Sequence, residues 1–306
     1  MEVNSMIEVY PHFFPEFFCK ADKCTHTCCQ KWEIDIDSET KALYDRTDDP
    51  LGKELAEWTK VSEEGFSCFR LNEEGYCHFL NAKGLCRLIL EKGEDYLCQI
   101  CRDHPRFYKF TYDTCAEEEI RLAGTGLSCE KTVEQLMEVK GPLFFHISIM
   151  QEEVPLKTIT DRLLLGFSEE DLTFHPDFSE GNIAALLAHL KATNPIDKEW
   201  EEELAYITDH QKELAKAAEE NLKDIPKNFL SNLFQYILYR ELDECGAYDP
   251  LSILCYASES LHFILLLFAW KKDLLRATTR WSEQIEYDNE NVYILLDEIE
   301  DVSDEL

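Results

Sequence analysis

The stretch "FFCKADKCTHTCCQKW", residues 17–32, sets four cysteines, Cys19, Cys24, Cys28 and Cys29, within eleven positions. Their sulfurs can reach one centre only if the backbone wraps around it, and a metal ion or cluster gives a short polar segment a reason to do so. Disulfides are the competing explanation. The start of the chain, "MEVNSMIEVYPHFF", argues against them: it has acidic residues, no basic region and no uninterrupted apolar run of the kind a secretory signal needs. The expectation is a cytoplasmic chain whose thiols stay reduced.

The cysteines continue past this stretch. Eleven of the thirteen lie before residue 130, with Cys68, Cys77, Cys86, Cys98, Cys101, Cys115 and Cys129 following the first four, and only Cys245 and Cys255 come later. Structural zinc favours two separated C-x2-C pairs, and only Cys98-Gln99-Ile100-Cys101 has that form. The side chains of adjacent residues such as Cys28 and Cys29 diverge and rarely hold one ion together. An iron-sulfur cluster spreads its ligand positions over several iron atoms and tolerates such spacing, so a cluster is expected, with zinc as the alternative. His26, His78 and His104 accompany the thiols, whereas Cys68, Cys245 and Cys255 read as buried, inert cysteines.

This distribution divides the chain. Residues 1–135 are expected to form a loop-rich cysteine module with short strands, and residues 136–306 an α-helical domain packing on it, giving a mainly α protein. Within the first part, "DIDSETKALYDRT" carries a Ser38 cap signal before a short helix. "YCHFLNAKGLCRLIL" reads as two short apolar strands around Asn81–Gly84, and "GEDYLCQICRDHP" as a short helix stopped by Pro105. Later, Ile183, Leu186, Leu187 and Leu190, and again Phe229, Leu230, Leu233, Phe234, Ile237 and Leu238, follow helical spacing. Residues 166–182 and 194–199 are the expected connections, and no internal repeat is apparent.

Charge narrows the partners. The chain carries 62 acidic against 30 basic residues, a formal charge of −32, which repels phosphate backbones and makes nucleic acid an unexpected ligand. The longest apolar run, Phe263–Trp270, falls short of the roughly 20 residues a membrane span needs.

Three blocks, "CKADKCTHTCCQKWEIDIDSET", "CHFLNAKGLCRLILEKGEDYLCQICRDHPRF" and "GLSCEKT", together resemble the signature of the flagellin lysine-N-methylase family, over about residues 9–135. "RWSEQIEYDNENVYILL", residues 280–296, is similar to a second stretch of that family. The resemblance implies a cysteine-bound iron-sulfur cluster, of [4Fe-4S] type, and methyl transfer from S-adenosylmethionine to lysine side chains of flagellin. Carried over by position, Cys19, Cys24, Cys28 and Cys29 are the first ligand group, and Cys77, Cys86, Cys101 and Cys129 fall on the later cysteines. Cys98 joins the set through its C-x2-C spacing. The first block also resembles a broader group of small cysteine-cluster proteins that bind zinc or iron, so a non-enzymatic module for assembly or sensing is the alternative reading.

Two better-known chemistries are not supported. A radical S-adenosylmethionine enzyme would carry C-x3-C-x2-C, and position 31 after Cys24 and Cys28 is Lys31. A nucleotide fold would carry a Gly-rich turn between a strand and a helix; "LAGTGLSCE" has the glycines but no evident strand before them, and reads as a simple turn. For the cofactor, Arg106 in "HPRF" suits a carboxylate, since a guanidinium holds one bidentately, and Trp32 and Phe107 (with Phe79 and Tyr108) offer rings to a sulfonium. No residue in the sequence stands out as a catalytic base.

Overall fold

The computed structural model describes residues 6–304 apart from 33, 63, 64, 115 and 227, so Cys115 lies outside the described residues. The protein is mainly α: among the described residues there are thirteen α-helices and seven strands, namely β1 (Ile7–Pro11), β2 (Thr59–Val61), β3 (Ser67–Phe69), β4 (Arg106–Asp113), β5 (Glu118–Thr125), β6 (Phe144–Ile147) and β7 (Val154–Pro155).

The chain divides into two compact units, one made of Met1–Phe17 with Arg106–Leu306 and the other of Phe18–Pro105. This corrects the expected boundary at residue 135. The reason is β1, whose alternating burial fits it to the middle of a sheet: it pairs in parallel with β5 and antiparallel with β6, which commits the N-terminus to the larger unit.

In the larger unit the strands form a mixed sheet of order β4-β5-β1-β6-β7. One face buries Ile7, Val9, Ile120, Leu122, Phe145 and Ile147 in the core shared with the helices. The helix Phe229–Arg240, expected from its apolar spacing, is pinned to that face by two tyrosines. The Tyr239 hydroxyl lies 2.8 Å from the carbonyl of Val9 and 2.9 Å from that of Ala123, and Tyr236 donates to the Thr125 carbonyl at 2.6 Å while accepting from its N–H at 2.8 Å. Buried tyrosines whose hydroxyls find carbonyls add orientation to hydrophobic burial. The helical expectation therefore holds for this unit, but the five-stranded sheet beneath the helices goes beyond it.

One helix corrects a second expectation. Pro250–Lys271 is 22 residues long, with an 18-residue window of mean hydropathy 1.7, enough by length and composition to cross a membrane, yet 67% of that window is buried inside the protein. Ser252, Ser258, Glu259, Ser260 and His262 interrupt the apolar run in the sequence without interrupting the helix. Surrounded by other helices, it is a core helix of this unit.

The smaller unit, Phe18–Pro105, contains short helices, turns and the β2–β3 pair. Its helix Ser38–Asp45 is capped by Asp37 rather than Ser38, the Asp37 carboxylate accepting from the Thr40 N–H at 2.9 Å. After Asn81–Gly84 the chain forms the helix Arg87–Lys92 where a second strand was expected, and Gln99–Asp103 is helical up to His104-Pro105 as expected.

Candidate metal centre

The smaller unit is built around a repeat that spacing between cysteines does not reveal. Leu71-Asn72-Glu73-Glu74-Gly75-Tyr76-Cys77 and Leu80-Asn81-Ala82-Lys83-Gly84-Leu85-Cys86 share the pattern Leu-Asn-x-x-Gly-x-Cys, which overturns the expectation of no internal repeat. Each copy folds the same way. The Asn72 Oδ1 accepts from the N–H groups of Glu74 and Tyr76 at 3.1 and 2.8 Å, and the Asn81 Oδ1 from those of Lys83 and Leu85 at 2.8 and 3.0 Å. Gly75 and Gly84 take φ of +84° and +74°, which favours glycine over any residue with a side chain. The chain reverses, Leu71 bridges to Cys77 and Leu80 to Cys86, and a cysteine stands at the end of each turn.

The other thiols arrive by different routes. The Cys77 N–H donates to the Cys29 carbonyl at 2.9 Å, and Lys31 N–H to the Gly75 carbonyl at 2.8 Å, so the first cysteine block is laced to the first turn. Cys98 and Cys101 stand one helical turn apart, Cys98 at the N-cap of Gln99–Asp103. Cys86 caps Arg87–Lys92; it closes no formal capping hydrogen bond, but the nearby N–H groups of Ile89 and Leu88 favour its thiolate.

Five of these thiols influence one another's titration. The Cys28 thiol donates to Cys29 and, against the effect of burial, brings the Cys29 thiol down to about 7. Cys101 donates to Cys98, which lowers Cys98 and holds Cys101 well above the ordinary thiol range, with Cys29 and Cys77 adding to the rise. Burial pushes Cys77 up to about 12, helped by Cys29, Cys86 and Cys98, and burial likewise raises Cys86, with Cys29 and Cys98 contributing. Thiols that raise one another in this way resist ionising together, and a cation among them would favour their thiolates. His104 is half-buried with its Nε2 enclosed, and burial lowers its pKa to about 4, leaving the neutral imidazole that metals accept.

The nine expected ligands fall in different surroundings. Cys29, Cys77, Cys86, Cys98 and Cys101 act on one another's titration, and Cys28 adjoins Cys29. Cys19 is exposed, its sulfur 3.4 Å from the Ala21 N–H, and Cys24 closes the 3₁₀ turn Ala21–Lys23. Cys129 belongs to the larger unit, where it caps the helix Glu130–Glu138. Of the cysteines expected to be inert, Cys68 is buried, Cys245 is half-buried in a 3₁₀ turn, and Cys255 is exposed, contrary to expectation, on the outer side of Pro250–Lys271.

The expected cofactor residues separate too. Trp32 donates its indole N–H to the Cys28 carbonyl at 2.7 Å and stacks on His104, with ring centres 6.0 Å apart. With Lys31, Lys60, Phe69 and Leu71 it lines an open cavity of about 390 Å³. Phe79 is a core residue of the same unit. Arg106 and Phe107 open β4 in the larger unit. The Arg106 guanidinium lies 5.1 Å from the Phe17 ring centre, and Phe107 packs under the Arg240 guanidinium at 4.7 Å. The Gly-x-Gly frame does have a strand before it, β5, and a helix after it. Yet a Cβ on Gly124 would meet the Phe107 ring at 2.6 Å and the Tyr236 hydroxyl at 2.8 Å, so that glycine serves packing.

Sequence reasoning missed a group of carboxylates, the one close set of three or more Cys, His, Asp or Glu ligand atoms among the described residues. Glu241, Asp243 and Glu244 lie within 4.8 Å of one another, and the Lys109 ammonium sits among them at 2.5, 3.1 and 3.8 Å, so that cluster carries its own cation. The run "RELDEC" could have flagged it.

No family model, no curated protein and no solved structure matches this chain.

Proposed function

We propose that the protein is an iron-sulfur protein that methylates lysine side chains of flagellin or a similar surface protein, using S-adenosylmethionine. The observation that supports the metal is that Cys29, Cys77, Cys86, Cys98 and Cys101 act on one another's titration, with Cys98 and Cys101 one helical turn apart. Their all-sulfur chemistry suits thiolate-bound iron, and the resemblance of the three cysteine blocks to the flagellin lysine-N-methylases selects the reaction. When bound, such a cluster supplies redox or Lewis-acid chemistry. The thiols that would hold it are the five above, with Cys28 adjoining Cys29.

The chain's own residues offer the cofactor a place. The cavity lined by Trp32, Lys31, Lys60, Phe69 and Leu71, at about 390 Å³, falls within the size range of small-molecule sites. An indole face attracts a sulfonium, and the lysines attract the carboxylate of the methionyl group. Transfer itself needs the acceptor lysine in its neutral form, in line with the methyl group. This reading therefore moves the cofactor residues from Arg106 and Phe107 to Lys31 and Lys60, and keeps Trp32.

A second reading has its own support. Two identical turns that each end in a cysteine, followed by Cys98-x2-Cys101, suit a single zinc or iron ion in a non-enzymatic module for assembly or sensing. One preparation separates the two. Purified without oxygen, the protein is expected to contain iron and acid-labile sulfide, to gain thermal stability on addition of S-adenosylmethionine, and to transfer label from the methyl group to flagellin lysine. The gain is about 2.7 kcal/mol at a hundredfold excess over Kd, and Trp32→Ala should shrink it with the iron retained. Stoichiometric zinc with neither stabilisation nor labelled lysine would leave the binding module as the better account.

A further inference from the structure

The sheet of the larger unit has a face that the helices do not cover. β4 is at the edge, paired only with β5 among the described strands, and its residues alternate. Phe107 packs toward the core and Asp113 is buried, while Tyr108, Phe110 and Tyr112 are 43%, 50% and 53% exposed. Register extends the outer face: Phe110 stands opposite Arg121 and Tyr112 opposite Glu119, Arg121 opposite Glu8, and Tyr10 opposite His146. Native proteins blunt long edge strands with outward lysines, prolines or bulges. Here the one lysine of β4, Lys109, is drawn to Glu241 and Asp243, and the outer side presents an aromatic stripe instead. An open edge beside exposed rings is the geometry of strand addition.

Charge selects the occupant. The Arg121 guanidinium lies 5.1 Å from the Tyr108 ring centre and pairs with Glu8 at 2.5 Å, so this face already holds a cation against an aromatic ring and neutralises it. What remains near the β4–β5 turn is acidic: Glu117 and Glu119 are exposed and Glu118 is half-buried. A second copy of a chain of charge −32 would bring the same acids to the contact and be repelled, whereas a basic segment gains. We propose that the β4 edge and the stripe Tyr108, Phe110 and Tyr112 dock an extended, lysine-bearing segment of a partner protein, its backbone adding to β4 and its ammonium groups lying against the rings. That this partner is the methyl acceptor rests on the function proposed above; the docking surface does not.

The test titrates two labelled peptides into the full chain, one alternating lysine and valine and one with glutamate in place of each lysine. The basic peptide is expected to bind saturably and to weaken with salt, and the acidic one not to bind. The double variant Phe110→Ala/Tyr112→Ala should weaken binding about tenfold with metal content and Tm unchanged. Glu119→Lys, which keeps the rings and changes an exposed position, should weaken it severalfold. Equal binding of both peptides, no binding of either, or full affinity in both variants overturns the proposal. So does self-association that disappears in the double variant, because it gives the edge to a second copy. Peptide docking without labelled flagellin would sink the methylation reading alone, and flagellin methylation with an unchanged KM in the double variant would show that the docked segment is not the methyl acceptor.

Discussion

One helix of the larger unit, Pro250–Lys271, buries ten apolar residues, as many as the core cluster of the whole smaller unit has among the described residues, one of those being Cys98. The larger unit also closes its polar groups with side chains of its own, such as the Arg280 guanidinium held between Asp197 and Glu203 at 2.6 and 2.8 Å. The smaller unit sets turns, short helices and many of the cysteines around a smaller core. A unit with a small core gains from another source of folding energy, and under the proposed function a metal held by several thiolates would supply it. In this reading one unit is stable by burial and the other by coordination.

The largest effect expected from that contrast follows removal of the metal. Structural metal in small cysteine sites contributes on the order of 10 kcal/mol to folding. Chelation, or Cys101→Ser, should therefore release amide protection throughout residues 18–105 while Phe229–Arg240 and Pro250–Lys271 keep theirs. Cys255→Ser, at an exposed position of the larger unit, should change neither metal content nor protection. Hydrogen exchange read segment by segment decides it: uniform protection in the metal-free protein would mean that the smaller unit folds by burial after all.

The second effect is of intermediate size and should fall on the other unit. Arg280 is 3% exposed, bonds Asp197 and Glu203, and lies 5.8 Å from the Trp200 ring centre. Asp197 also caps the helix Lys198–Asp209, and Glu203 keeps only the longer Lys271 contact at 3.3 Å once the guanidinium is gone. Breaking a buried charge pair from one side costs about 3–5 kcal/mol because the remaining charge stays buried. Arg280→Ala should lower the stability of the larger unit by that amount and leave iron or zinc content unchanged, as measured by denaturant titration alongside metal analysis. Loss of metal in this variant would show that the two units do not have independent sources of stability.

These two regimes are unevenly legible in the sequence. The crowding of cysteines and the helical spacing at Ile183–Leu190 and Phe229–Leu238 depend on local pattern, and both can be read directly. β1 cannot, because its partners β5 and β6 lie more than a hundred residues away and nothing in "IEVYP" names them. The alternation in "RFYKFTYD" does read as a strand, but the cysteines on either side of it dominate the pattern. The paired turns escape for a related reason: the identity of the copies resides in Leu, Asn and Gly, which set the backbone, and not in the distances between thiols. Cys255 departs from the expected burial because a largely apolar helix still has an outer side.

Those glycines give the smallest and sharpest test of the contrast. Gly84 sits at φ +74°, and a Cβ there would approach nothing closer than the Asp22 Cα at 3.8 Å, so the cost of Gly84→Ala is conformational and not steric. Forcing alanine into the left-handed region costs about 1 kcal/mol. Because that turn delivers Cys86 to the other thiols, the same energy should appear as about a fivefold to tenfold loss of metal affinity, without loss of the site. Gly246, in the larger unit, has no positive φ, and a Cβ there would meet nothing within 4 Å, so Gly246→Ala should be neutral or slightly stabilising. A competition titration against a chelator, run on both variants, reads the difference directly. If Gly84→Ala binds metal as tightly as Gly246→Ala, the Leu-Asn-x-x-Gly-x-Cys turn does not preorganise its cysteine, and the repeat is a feature of the backbone with no part in the metal centre.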